Sequence, residues 1–213
     1  MGIFYQHSIN DSTKLGIWKI EEPEHFFLEK APLKKQVTHP YKRLQHLAGR
    51  ALLPMLFSDF PLEDILIADT HKPFLPGEKY HFSISHCGNY AAAIASSAHR
   101  VGVDIELISP TVARVSRKFL NDRERNIVEG WESLPRLHLQ LLTMLWSAKE
   151  AIYKWHGAGS VNFREHIRLQ DDKIAVNPDG SIDLHFEFLK DGIVPLHVEI
   201  RLLGALVLAW VVT

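Results

Sequence analysis

Asp104 and Glu106 stand two residues apart in Val101-Gly102-Val103-Asp104-Ile105-Glu106-Leu107, a stretch that alternates strictly. Read as a strand, it points Val101, Val103, Ile105 and Leu107 to one face and Gly102, Asp104 and Glu106 to the other. The two carboxylates then lie roughly 6–7 Å apart along the chain direction. Such a pair repels itself unless solvent or a cation lies between its members. About forty residues on, Trp146-Ser147-Ala148-Lys149-Glu150-Ala151-Ile152-Tyr153-Lys154 supplies helical sequence with a third carboxylate, Glu150, and a lysine one turn later. Three oxygens around one point suit Mg²⁺, and Mg²⁺ suits a phosphate-bearing substrate.

Taken singly, the same residues have plainer readings. A lone Asp-x-Glu on a strand is a solvated polar face. Glu150 and Lys154 at i,i+4 form a helix-surface ion pair in the favourable order, contributing about 0.3 kcal/mol. Glu124, three residues after Asn121, is the partner that a capping box requires. His86 falls in a hairpin turn, where a surface role is ordinary. Arg43, His46 and Arg50 recur at helical spacing as a solvated basic face would. Cys87 has only His86 beside it to activate a thiol.

The elements that must hold these residues are legible from periodicity. Ile3–Tyr5 and 17–20 read as short strands. Tyr41 to Phe57 reads as an amphipathic helix with Leu44, Leu47, Ala48, Ala51 and Met55 on one face, and Pro54 predicts a kink or an early end. Residues 72–77 form a loop. Strands over 81–85 and 90–96 flank the turn 86–89, and a further turn over 97–100 leads into the Asp104 strand, which predicts an antiparallel meander. Helical sequence over 112–119 is followed by Asn121 as an N-cap. A long helix from about Leu137 to Trp155 carries the stripe Leu141, Leu145, Ala148, Ile152, Trp155, and Gly157-Ala158-Gly159 ends it. Strands follow over about 164–169, 173–176, 182–189, 194–202 and 205–212, with turns at 177–180 and 191–192. Each half therefore offers helix and antiparallel strand. The fold class expected is α+β, with two similar α/β lobes packed as a pseudo-dimer, antiparallel sheets and a long helix in each. The lobes are placed at residues 1–100 and 101–213.

Composition narrows the class. At 213 residues, with 46% hydrophobic and 23% charged side chains, the chain has length and apolar content for real cores. A formal net charge of −1 argues against nucleic acid held through bulk positive charge. The single cysteine, Cys87, excludes an internal disulfide and fits a reducing compartment. The first residues carry neither a basic n-region nor an apolar segment, so no signal peptide is expected, and Gln6 stands where myristoylation requires Ser or Thr. The apolar C-terminal run, Leu202 to Thr213, is too short to span a bilayer and reads as a buried last strand. The expectation is a cytoplasmic protein. Its thirteen histidines are scattered, without zinc-like spacing.

The order of these features resembles that of the 4′-phosphopantetheinyl transferases, specifically the larger type that activates surfactin synthetase. The resemblance rests on Lys72-Pro73, on Ser83-Ile84-Ser85-His86, on Val101 to Glu106, and on Trp146 to Lys154 continued by Gly157 and Gly159. It spans about residues 40 to 160. His71 replaces the glycine usual before the Lys-Pro pair.

The resemblance implies transfer of the phosphopantetheine arm of coenzyme A to a serine of an apo acyl or peptidyl carrier protein, with release of 3′,5′-ADP. It implies Mg²⁺, or Mn²⁺, on Asp104, Glu106 and Glu150. Glu124 matches the proposed general base, and Lys154 would stabilise or protonate the departing phosphate. Arg43, Lys72 and His86 match the groups that hold the 3′-phosphate and adenosine of coenzyme A, with Arg50 and Ser85 beside them. The active site is expected at the junction of the lobes, so that a monomer suffices. Arg114, Arg117 and Lys118 are the expected basic patch for an acidic carrier. Two other readings are a non-catalytic module that binds coenzyme A or a carrier, and a Mg²⁺-dependent coenzyme A pyrophosphohydrolase. The sequence lacks the Glu-rich helix motif of that hydrolase class.

Overall fold

The computed structural model describes residues 2–31, 37–70 and 72–213. The expectation attached to His71 lies outside the described residues. The chain divides into two compact units, Met1–Val103 and Asp104–Thr213, and each contains its own apolar cluster. Both are α+β with antiparallel strand pairing.

The first unit comprises β1 (Ile3–Asn10), β2 (Thr13–Lys19), α1 (Glu24–Leu28), α2 (Pro40–Leu56), the short strands β3 (Leu66–Ile67) and β4 (Pro73–Phe74), β5 (His81–Cys87) and β6 (Tyr90–Ser96). Its main sheet has the order β1-β2-β6-β5, with every pairing antiparallel. Helix α2 begins at Pro40, pre-set for a first helical position, and buries Leu47, Ala48, Ala51, Leu52 and Leu53. Pro54 lies in the last turn, and the helix ends two residues later. The helix crosses a strand of unusually small side chains, Ala91 to Ala95, all fully buried. Gly49 is the point of closest approach: a Cβ there would lie 2.5 Å from Ile84 Cγ2.

The second unit comprises β7 (Val101–Leu107, which crosses the unit boundary), α3 (Thr111–Phe119), α4 (Asp122–Glu129), α5 (Pro135–His156), α6 (Phe163–His166), β8 (Ile167–Leu169), β9 (Ser181–Phe188), β10 (Val194–Leu203) and β11 (Leu206–Val212). Its sheet has the order β7-β11-β10-β9-β8. The apolar end of the chain becomes β11, buried from Leu206 to Val211 and placed between β7 and β10. Leu141, Leu145, Ala148, Ile152 and Trp155 of α5 all enter the core, as their spacing requires. Gly157 closes α5 in the left-handed conformation, φ 73°.

Four sequence expectations are corrected. The meander does not form, because β6 already has β2 on one edge and β5 on the other; β7 joins β11 instead. His86 and Cys87 belong to β5, and the turn is confined to Gly88 and Asn89. Residues 163–166 form a helical turn ahead of a three-residue strand, because the Asn162 side chain accepts from the N–H groups of Arg164 and Glu165. Of the strand expected over 173–176, only a single bridge from Val176 to Ile182 exists.

Gly49→Ala tests the closeness of α2 to the sheet. Overpacking against Ile84 should cost about 1–3 kcal/mol in urea unfolding, and Ile84→Ala in the same chain should recover most of it. Full additivity of the two losses would show that the contact is not shared.

Candidate active site

The sequence placed Asp104, Glu106, Glu150 and Lys154 together, and the second unit does bring them together. Asp104 is 3% exposed. Its Oδ1 accepts from Lys154 Nζ at 2.6 Å and its Oδ2 from Ser147 Oγ at 2.8 Å. Glu106, half-buried, accepts from Trp146 Nε1 at 3.3 Å. Glu150 lies one helical turn from both Trp146 and Lys154, so the three share a face of α5. Burial raises the Glu150 carboxyl from 4.5 to about 7, helped by the negative charges of Asp104 and Glu106 and opposed by Lys154. Glu150 therefore feels the Asp104 and Glu106 carboxylates and the Lys154 ammonium.

That donor set fits a hard divalent cation in chemistry and in charge, being all carboxylate oxygen and net negative. Among the described residues, no group of three or more His, Cys, Asp or Glu side chains is arranged to hold a metal ion. Asp104 and Glu106 instead spend oxygens on the Ser147, Lys154 and Trp146 donors.

Glu124 sits elsewhere in the same unit, fully buried. Its Oε2 accepts from Asn121 N–H at 2.9 Å and Lys149 Nζ at 2.6 Å; its Oε1 accepts from Leu169 N–H at 2.9 Å. The capping box with Asn121 is complete. Lys149, also fully buried, uses its remaining donors on the carbonyls of Phe119 (2.8 Å) and Phe163 (3.0 Å). Burial pulls this ammonium below the usual lysine range, and Glu124 opposes that pull. The pair ties the end of α3, the start of α4, the start of α6 and β8 to the middle of α5. Sequence reasoning missed Lys149, although its place between Ala148 and Glu150 signals that it lies on neither the core stripe nor the Glu150 face.

The expected coenzyme-side residues all lie in the first unit. Arg43 grips Glu24 bidentately, Nε to Oε1 at 2.8 Å and Nη2 to Oε2 at 2.9 Å, and adds the Val37 carbonyl at 3.2 Å. It braces α1 against α2. Arg50 is 4% exposed, its guanidinium held down by desolvation with Glu63 as the countercharge. Lys72 is lowered to about 8, first by burial and then by the positive charge of Arg100. Arg100, a turn residue, was not anticipated as its neighbour. Strand alternation puts the exposed His86 on the same face as Ile84, toward α2, and the buried Ser85 on the other. The neighbour on Ser85's face, Ser83, accepts from Val103 N–H at 3.2 Å.

Two measurements check these charge assignments. Lys149→Met strands a buried carboxylate and should cost about 3–5 kcal/mol in urea unfolding, with Glu124→Gln in the same chain restoring part of the loss. An unchanged midpoint would refute the pair's role. For Glu150, the folded value of about 7 exceeds the unfolded 4.5, so the stability it contributes is present below pH 4.5 and lost as pH rises through 7. In EDTA, Glu150→Gln should match the parent near pH 4.5 and exceed it at pH 8 by roughly 2 kcal/mol. A difference that does not grow with pH would show that the carboxylates are not crowded.

Comparison with known proteins supplies the family. A 4′-phosphopantetheinyl transferase superfamily model matches residues 100–208, more than half of the chain. The chain is 33% identical to the 4′-phosphopantetheinyl transferase AcpT of Escherichia coli O157:H7 over 132 residues, 60% of this chain and 65% of that protein. It is 32% identical to AcpT of Salmonella typhi over 129 residues, 59% and 65% of the two lengths. It is 29% identical to the L-aminoadipate-semialdehyde dehydrogenase-phosphopantetheinyl transferase of Xenopus laevis over 130 residues, 53% and 43% of the two lengths. The matched region thus spans just under two thirds of the AcpT proteins. The family match opens just ahead of β7 and runs through α4 and α5 into β11, so it includes Asp104, Glu106, Glu124 and Glu150, and the chain belongs to the 4′-phosphopantetheinyl transferase superfamily.

Proposed function

We propose that the protein is a holo-carrier-protein synthase, an enzyme of the surfactin-synthetase-activating type. It transfers the 4′-phosphopantetheine arm of coenzyme A to a serine of an apo acyl or peptidyl carrier protein. The serine oxygen forms a bond to the phosphorus that bears pantetheine, the pyrophosphate P–O bond breaks, and 3′,5′-ADP leaves with the electron pair. The observation that carries the reading is the meeting of β7 and α5, where Asp104, Glu106, Glu150 and Lys154 share one neighbourhood.

Asp104, Glu106 and Glu150 would hold Mg²⁺, or Mn²⁺, which when bound supplies positive charge against the pyrophosphate oxygens. Lys154 holds Asp104 and would stabilise or protonate the departing phosphate. On the first unit, Lys72 and Arg100 form the crowded cationic pair that favours the coenzyme's phosphates. Arg50, His86 and Ser85 accompany them, and Arg43 would join by exchanging Glu24 for phosphate. The reading carries with it the monomeric, cytoplasmic enzyme expected from sequence. No helix among the described residues is long and apolar enough to cross a membrane. The carrier is proposed to meet the basic residues of α3, Arg114, Arg117 and Lys118.

The family resemblance gives Glu124 the serine proton, while its three donors give it a bracing role. The two are separable. Glu124→Gln strips Lys149 of its countercharge and lowers the melting temperature in either case; as base, it also lowers kcat in the surviving folded fraction by at least a hundredfold. As brace alone, it lowers the melting temperature and leaves kcat in the surviving folded fraction.

Incubating the protein with coenzyme A, Mg²⁺ and a panel of apo-carriers, read by intact mass, tests the reaction. The expected result is a gain of one phosphopantetheine on at least one carrier, abolished by Asp104→Ala or Glu150→Ala with the fold intact. Binding of coenzyme A without mass gain on any carrier would overturn the reading, as would near-normal turnover in either variant at saturating Mg²⁺.

A further inference from the structure

We propose that Trp146 and Ser147, consecutive residues of α5, are positioning residues for Glu106 and Asp104, and that they set the second unit's affinity for a divalent cation. The inference rests on the cation reading above and goes beyond it by naming what aims the carboxylates.

Ser147 is fully buried, so its hydroxyl must find an acceptor within the protein. A buried hydroxyl on a helix commonly bonds back to the carbonyl four residues earlier. Thr143, one turn before on the same helix, does this with the Leu139 carbonyl at 2.7 Å. Ser147 instead gives its proton to Asp104 Oδ2 at 2.8 Å. Trp146 has a single donor, and it points to Glu106 Oε1 at 3.3 Å. Its ring is fixed between Phe119 and Phe163, at centroid distances of 5.1 and 5.7 Å. The indole cannot turn away without breaking both aromatic contacts.

The geometry of the two elements makes the pairing natural. Alternate residues of β7 face one way, and adjacent residues of α5 reach them side by side. Each bond uses one oxygen of its carboxylate and fixes the rotation of the carboxyl plane, so the direction of the second oxygen is set. Together with Glu150 and Lys154, the two residues make one stripe of α5 in which every side chain either supplies charge or orients it.

The test uses Ser147→Ala, which suits a helix interior, and Trp146→Phe, which keeps the aromatic contacts and removes the N–H. Mn²⁺ is titrated into each protein, with and without coenzyme A, and the free-ion electron paramagnetic resonance signal is followed. Each variant should bind Mn²⁺ about tenfold more weakly, with an unchanged melting temperature. In the transfer assay the half-saturating Mg²⁺ concentration should rise by a similar factor, with turnover recovered at saturation. Unchanged Mn²⁺ affinity in both variants, with affinity lost in Asp104→Asn, would overturn the positioning role and leave the cation site standing. Equal Mn²⁺ binding by the parent and Asp104→Asn would overturn the cation reading and this inference with it. Should Ser147→Ala lose its fold, Trp146→Phe decides the matter by the same readings.

Discussion

The ammonium of Lys149 is the point on which the second unit depends. It has three protons, and all three are used inside the protein, on Glu124, Phe119 and Phe163. A buried charge survives only when it is paired and fully hydrogen-bonded. Meeting that condition forces the end of α3, the start of α4 and the start of α6 to converge on one position of α5. Glu124 extends the constraint to β8 through the Leu169 N–H. The order of the loops around α5 follows from satisfying one cation. This contact also fixes the rotation of α5 about its axis, and hence which residues face β7.

With that rotation set, α5 carries three kinds of side chain in three directions. Leu141, Leu145, Ala148, Ile152 and Trp155 enter the core. Lys149 is spent on structure. Trp146, Ser147, Glu150 and Lys154 address the β7 carboxylates. On this last stripe Glu150 is raised first by burial and then by the negative charges of Asp104 and Glu106. Such a shift is a stability cost in the resting protein, and a bound cation would relieve it. In the first unit Lys72 is lowered by burial and then by the positive charge of Arg100.

Much of this was legible in the residues. The alternation of 101–107 predicts a strand with both carboxylates on one face, and the 3.6-residue period predicts α5 and its core stripe. The capping box at Asn121 and Glu124 forms as its spacing demands. Some failures were local, as where the Asn162 cap turns residues 163–166 into a helical turn, and others were nonlocal. The meander reading assumed that neighbouring strands pair, and β2 takes the edge of β6 that β7 would need. Arg43 and Arg50 shared a helical period, yet Arg43 is held by Glu24 at the surface and Arg50 is nearly excluded from solvent. Periodicity describes a face of a helix; it carries no information on what covers it.

The sequence by itself determined the elements, the three carboxylates and the family, because each is written in local spacing and residue type. Only the tertiary structure decided what each charged group does with its hydrogen bonds. Glu124 and Glu150 look equivalent as acidic residues on helices, and burial against different neighbours separates them. One is saturated by three donors and tied to a lysine, while the other is raised to about 7 among like charges. The energy of a charge depends on its surroundings in three dimensions, and those come from segments far apart in the chain.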